Sequence, residues 1–524
     1  MPLTPDPSPR KGGEGRDARL RRFSKTHTTF TKPEIKDVSE AKPQMRGDVA
    51  ACSSLAAMAA TYLRPLRPFN PLGRTHSIMR NIPRNLSLAI CLFASLTSTL
   101  LAADDDGWQP LFNGRDLNGW VNCNVAPTTF SAKDGLIVST GIPTGVMRTD
   151  RMYENFILEA EWRHMQPKGN AGIFVWADSL TAPGVPFSRS VEVQVLDGLN
   201  TASYTSHGDI FSIHGASMLP DRPHPNGSQR CLPSEQRCKP SPEWNHYRIV
   251  CNDGVISLAV NGKVVSGGSK CLPRKGFICL ESEGSECHFR NLKIKELPST
   301  NAKLEETANG DEGFRSLYTG LDFAGWQANA GHSRNWTASD WRLLGLGHEG
   351  DGRLQAGDPS LWSEKEYGDF ILICDWRLPR KAQSKTFAGI LPSGDAALEN
   401  GQPKTVEALD AGMSGIALRA SRKSEIQIGG HPIGSGLIDG YRTDKTATAQ
   451  LRAAVTPKLR ADRPAGQWNR FVITLKGERV SIVLNGQTVV ADAALAGLPK
   501  RGRLGLLHHG DAVEFANIYI KELE

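Results

Sequence analysis

The sequence has ten cysteines but no Cys-x-x-Cys pair, which argues against a zinc ribbon. Helical hydrophobic periodicity is almost absent, so helix bundles and α/β folds describe it poorly. Charge excess is missing too once the first residues are set aside. The formal net charge is +7, yet residues 1–78 hold 14 Lys/Arg against 7 Asp/Glu, leaving 48 of each sign in residues 79–524. Nothing in that balanced remainder calls for a nucleic-acid partner. Only one long apolar run catches the eye, from about Leu86 to Leu101.

That run follows Arg80 and Arg84 and ends at the small residues Ala102 and Ala103. Residues 79–103 therefore read as a secretory signal peptide; a short membrane anchor is the alternative, although the run falls short of a comfortable span. Export to the periplasm or the medium is expected, with no stable transmembrane span once the signal is removed. Residues 1–78 open with "MPLTPDPSPRKGGEGR" and read as a disordered leader, or as a start placed too far upstream. Eight cysteines remain beyond the signal, and an exported chain can hold disulfides. Cys231 and Cys238 in "CLPSEQRC" form the closest pair, with buried free thiols as the alternative.

What is present is a repeat. "LFNGRDLNGW" (111–120) is matched by "LYTGLDFAGW" (317–326), and "YENFILEAEW" (153–162) by "YGDFILICDW" (367–376). "SVEVQV" (190–195) has its counterpart in "SEIQI" (424–428), and the ends "FRNLKIKEL" and "FANIYIKEL" agree. Two copies of one domain follow, at 104–297 and 313–524, joined by a polar, aperiodic linker at 298–312. Within each copy, short runs alternate apolar with polar residues and are rich in Val, Ile, Phe and Trp. "NG" at 261–262 and 485–486 sits between two such runs, a hairpin signal. The expected fold class is all-β: two tandem jelly-roll sandwiches of the concanavalin type, with an antiparallel barrel as the competing architecture.

These landmarks, together with "GNAGIFV" (169–175), "VEVQVLDG" and "GFICLESEGSECHFRNLKIKEL", resemble the 3-keto-disaccharide hydrolase domain of exported bacterial proteins. The resemblance covers nearly all of 107–297 and, more weakly, 313–523. It implies a lectin- or glucanase-like jelly roll that hydrolyses disaccharides or glycosides oxidised to a ketone at carbon 3. A non-catalytic, lectin-like sugar-binding protein is the alternative.

The strand "VEVQV" carries the main expectation about the site. Side chains two apart share a face, so Val191, Val193 and Val195 point to the core while Glu192 and Gln194 point away from it. Glu192, Gln194 and Asp197 give the spacing E-x-Q-x-x-D, where glucanases of similar fold carry E-x-D-x-x-E. An amide cannot shuttle protons, so double displacement by paired acids fits badly. A ketone offers elimination instead, with Glu192 as base or its electrostatic partner. Asp197, His207 and Asp209 are candidates for proton transfer or for a divalent metal that polarises the ketone, an open question. Arg148 and Gln194 are candidates to orient the sugar, Trp176 to stack on it, and Glu281 and Glu283 to share its hollow. Each has a plainer reading: a solvated strand face for the glutamates, a turn residue for Asp197, solvent-facing loop histidines, and a core tryptophan. The second copy keeps the pair as Glu425 and Gln427 but lacks an acid matching Asp197, which favours the first copy for chemistry.

Overall fold

In a computed structural model, residues 107–198, 205–225, 227–328, 332–347 and 358–524 are described. Residues 1–106, on which the expected leader and signal peptide fall, lie outside them. Each repeat stacks two antiparallel sheets. In the first copy the larger sheet has nine strands, among them Phe156–His164, Asn245–Asn252 and Cys287–Glu296, and the smaller has seven. The smaller sheet runs Arg230–Cys231, Ile210–Ile213, Ser190–Leu196, Asn170–Ala177, Phe277–Ser282, Gly145–Thr149, Trp120–Asn122. The second copy repeats this with eight and five strands. The sheets do not close on each other, so each copy is a concanavalin-type jelly-roll sandwich and not a barrel. Only two short α-helices, Asp439–Arg442 and Ala449–Ala454, occur among the described residues.

Alternation in sequence becomes layering in space. Phe156–His164 alternates buried and half-buried positions along its length. Val191, Val193 and Val195 are fully buried between the sheets, each worth about 1.5–3 kcal/mol relative to exposure. The hairpin turns have the backbone their residues suit: Asn261 and Gly262 both take positive φ, as do Asn485 and Gly486.

The two copies lock together through the loop after Asn170–Ala177. Gly184 N donates to Asp375 Oδ2 at 2.8 Å, and Thr181 Oγ1 lies 2.7 Å from the Tyr519 hydroxyl. Asp375 is fully buried and also takes Arg470 Nε at 2.6 Å. The polar segment between the copies is a strap tied to the first sandwich. Asn309 N donates to Asp178 Oδ1 at 2.8 Å, and Asp311 Oδ2 pairs with Arg148 Nη2 at 2.6 Å.

Candidate active site

The Ser190–Leu196 strand is buried along its whole length, on both faces. Its valine face meets the larger sheet. Its other face carries Glu192, only 6 % exposed, and Gln194. The solvated-face reading of Glu192 is therefore wrong. The register explains what covers it. Glu192 lies opposite Phe174 on one neighbour and Phe211 on the other, and Gln194 lies opposite Gly172. The Phe277–Ser282 strand continues the sheet, with Leu280 opposite Ile173, so Glu281 falls beside Gly172.

Gly172 makes a pit. A side chain there would begin 2.8 Å from Glu281 Oε2 and 3.0 Å from Glu192 Oε1. Two carboxyl groups thus converge over one bare backbone position. Glu283, two residues along, joins them: Asn170 Nδ2 donates to its carboxylate, and Gln194 Nε2 donates to Asn170 Oδ1 at 2.9 Å. Glu281 Oε2 is buried with no hydrogen-bond partner among the described residues.

Three acids packed away from water resist ionisation. Burial, then the Glu283 charge, pushes Glu192 up to about 8, opposed by the positive charge of Arg230. Burial, then Asp340 of the second copy, pushes Glu283 up to about 7. Glu281 is raised well above the carboxylate range by burial and by both neighbours. Such a trio loses its protons as a unit, in separate steps. Near neutral pH it contains carboxylate and carboxylic acid side by side, the complement that paired acid and base catalysis requires.

The other sequence candidates fall into two groups. Asp209 reaches this face through the ladder, since Gln194 N donates to Asp209 O at 3.0 Å. Its carboxylate is fully buried and is used by Arg230 Nη1 at 2.8 Å and by Thr205, so it anchors a cation and does not move protons. Arg230, 3.6 Å over the Phe211 ring, escaped the sequence reading because it sits in a two-residue strand inside a Gly/Pro-rich insertion. Asn170 escaped as well, though "GNAGIFV" contains it. His207 is half-buried, its Nδ1 without a partner among the described residues, and burial lowers its pKa despite Asp209.

Three expectations are corrected. Asp197 accepts from Ser241 N at 3.2 Å and holds the 239–242 turn, away from the glutamates. Arg148 is buried, and its Nε, Nη1 and Nη2 donate to Ser179 O, Thr149 O and Asp311, so it ties the strap down and is not presented to a sugar. Trp176 is fully buried in the core, its Nε1 donating to Glu154 O at 2.8 Å. Cys231 and Cys238 are free thiols in separate surroundings, as are the other six described cysteines. Among the described residues no three His, Cys, Asp or Glu side chains are grouped to hold a metal ion.

In the second copy, Gly415 lies opposite Gln427, which places Glu425 and Gln427 at the positions of Glu192 and Gln194. Glu425 Oε1 lies 2.7 Å from His509 Nε2 instead of beside other acids.

Comparison with known proteins finds the repeat as well. The family model described as a 3-keto-alpha-glucoside-1,2-lyase-like domain matches twice, over residues 107–295 and 313–521. A 3-keto-disaccharide hydrolase of Bacteroides thetaiotaomicron is 24% identical over 257 residues, covering 39% of this chain and 83% of that protein. Among solved structures, a candidate glycosyl hydrolase of Parabacteroides distasonis is 23% identical, covering 37% of this chain and 95% of that one at a TM-score of 0.29. A β-glucanase of Bacillus licheniformis is 12% identical over 38% of this chain and 95% of its own, at a TM-score of 0.24.

Proposed function

The chain belongs to the 3-keto-alpha-glucoside-1,2-lyase-like family, in two copies, and we propose that its first copy hydrolyses 3-keto-disaccharides or related 3-keto-glycosides by elimination and rehydration. One observation carries this reading: Glu192, Glu281 and Glu283 gather on one sheet face around Gly172, with their acidities pushed towards neutrality. Export by way of residues 79–103 belongs to the same proposal.

A ketone at carbon 3 acidifies the hydrogen on carbon 2. Glu192, which ionises as the pH rises through about 8, takes that proton in its carboxylate form. The electrons form the enolate, then the carbon 1–carbon 2 double bond, and the bond from carbon 1 to the leaving oxygen breaks. Glu281, held protonated, supplies the proton to that oxygen. Water then adds: its hydroxyl goes to carbon 1, its proton restores Glu281, and Glu192, whose captured proton has exchanged with solvent in the meantime, delivers a solvent-derived proton to carbon 2. The sum is hydrolysis. Glu283 sets the charge state of both partners, and the Asn170–Gln194 pair fixes Glu283 and offers amides suited to sugar hydroxyls.

The test is incubation of the protein with a 3-keto-disaccharide in heavy water. Release of the 3-ketosugar, with deuterium at carbon 2 above an enzyme-free control, is expected. Binding without release would return the protein to the lectin-like alternative. Release without deuterium at carbon 2 would sink the elimination route.

A further inference from the structure

The outward face of the smaller sheet in the second copy is built on the same register from different residues. Trp362 lies opposite Gly505, and Gly505 opposite Ala417. The corresponding row in the first copy is Arg148, Cys279 and Phe174, filled by the buried Phe174 ring and the buried arginine. The second copy replaces that filling with its two smallest side chains and an indole. The six-membered ring of Trp362 rests on Gly505, where a side chain would begin 2.6 Å from Cζ3. Its Nε1 donates to Asp358 Oδ2 at 2.8 Å, which fixes the ring plane while leaving the indole half-buried.

Polar groups follow on the same face. Glu425 and His509 form a half-buried pair, with Gln427 two residues further along the strand. The acid trio is dissolved here. By the register of Ile416 with Leu506, His509 stands where the first copy has Glu283, and Leu507 where it has Glu281. An aromatic platform on one sheet face with a carboxylate, an imidazole and an amide, across the small residues Gly505 and Ala417 of two intervening strands, is suited to the mixed surface of a pyranose: C–H groups for the ring, hydroxyls for the polar side chains.

We propose that this face of the second copy is a separate, non-hydrolysing site for a neutral pyranose unit that need not carry a ketone. It uses none of the residues of the first copy's site, so it can fail without that reading failing. The sugar stacks on Trp362 and shares hydroxyl hydrogen bonds with Glu425 and His509.

The experiment titrates the full chain with trehalose and with cellobiose, unoxidised probes, by calorimetry and tryptophan fluorescence. Binding of at least one at a dissociation constant of about 1 mM is expected, weakened about tenfold or more in Trp362→Ala, the loss of one stacking contact. Turnover of a 3-keto-disaccharide in solution should stay within about twofold of wild type in that variant. Should Trp362→Ala fail to fold by circular dichroism, Glu425→Ala provides the deciding titration. The proposal is overturned by wild type that binds neither probe up to about 20 mM, or by affinity unchanged in the folded variant.

Discussion

At Glu281 the chain buries an acid beside two others, an arrangement that works against folding at high pH. The sign follows from linkage. Its folded pKa lies above its unfolded value of 4.5, as do those of Glu192 and Glu283. The folded state therefore holds the extra protons, and stability present at low pH is lost as pH rises through about 7 and about 8. Replacing Glu281 by Leu, the residue the second copy places there, should raise the melting temperature at pH 8 by about 3 °C or more, with a smaller gain at pH 4, and should abolish turnover. Thermal melts at the two pH values decide it; a variant less stable than wild type at pH 8 contradicts the buried-acid account. Kinetics test the same coupling. The Glu283 charge raises Glu192, so Glu283→Gln should move the acid limb of kcat/KM to lower pH, and an unmoved limb would show that Glu192 does not set it. Sequence made part of this legible. Alternation put Glu192 and Gln194 on the face away from the valines and offered Glu281 and Glu283 for the same face, but it could not say that Phe174 and Phe211 would flank Glu192 and leave it buried.

Among elements, the smaller sheet of the first copy decides what chemistry is available. Its strands bring residues 170, 192, 281 and 283 together from distant parts of the chain, and only the pairing register tells which cross-strand neighbours meet. A side chain at Gly172 would collide with Glu281, the Phe174 ring and Glu192, so Gly172→Ala should displace the acids and cut turnover by about a hundredfold, with the fold kept. Initial rates measured beside circular dichroism check this; a fully active variant would show that the placement of the acids over Gly172 is not used. Trp176 illustrates where pattern reading fails. Strict alternation after Gly172 and Phe174 would turn it outward, but its φ of 56° and a register shift between Phe277 and Cys279 turn it into the core. The hairpin asparagines, whose conformation depends on adjacent residues alone, were fully legible.

At the scale of the whole molecule, the repeat, the all-β class and the family were readable from landmark order, whereas the junction was not. It depends on Asp375, which looks like any strand acid until Gly184, Asn517 and Arg470 converge on it. Asp375→Ala leaves Arg470 without its buried partner, and should cost about 3–5 kcal/mol and speed protease cleavage within the 178–189 loop. Limited proteolysis followed by mass spectrometry reads the outcome; unchanged cleavage would mean that the copies are held elsewhere. The second copy keeps the scaffold and changes the face, exchanging the acid trio for a Glu–His pair. Under the proposed function, that division of labour assigns hydrolysis to the first copy and centres it on Glu192. The most direct measurement is release of 3-ketosugar from a 3-keto-disaccharide by Glu192→Gln, compared with wild type at matched circular dichroism. A loss of about a hundredfold or more in kcat is predicted; a folded variant that turns over at the wild-type rate would contradict the account.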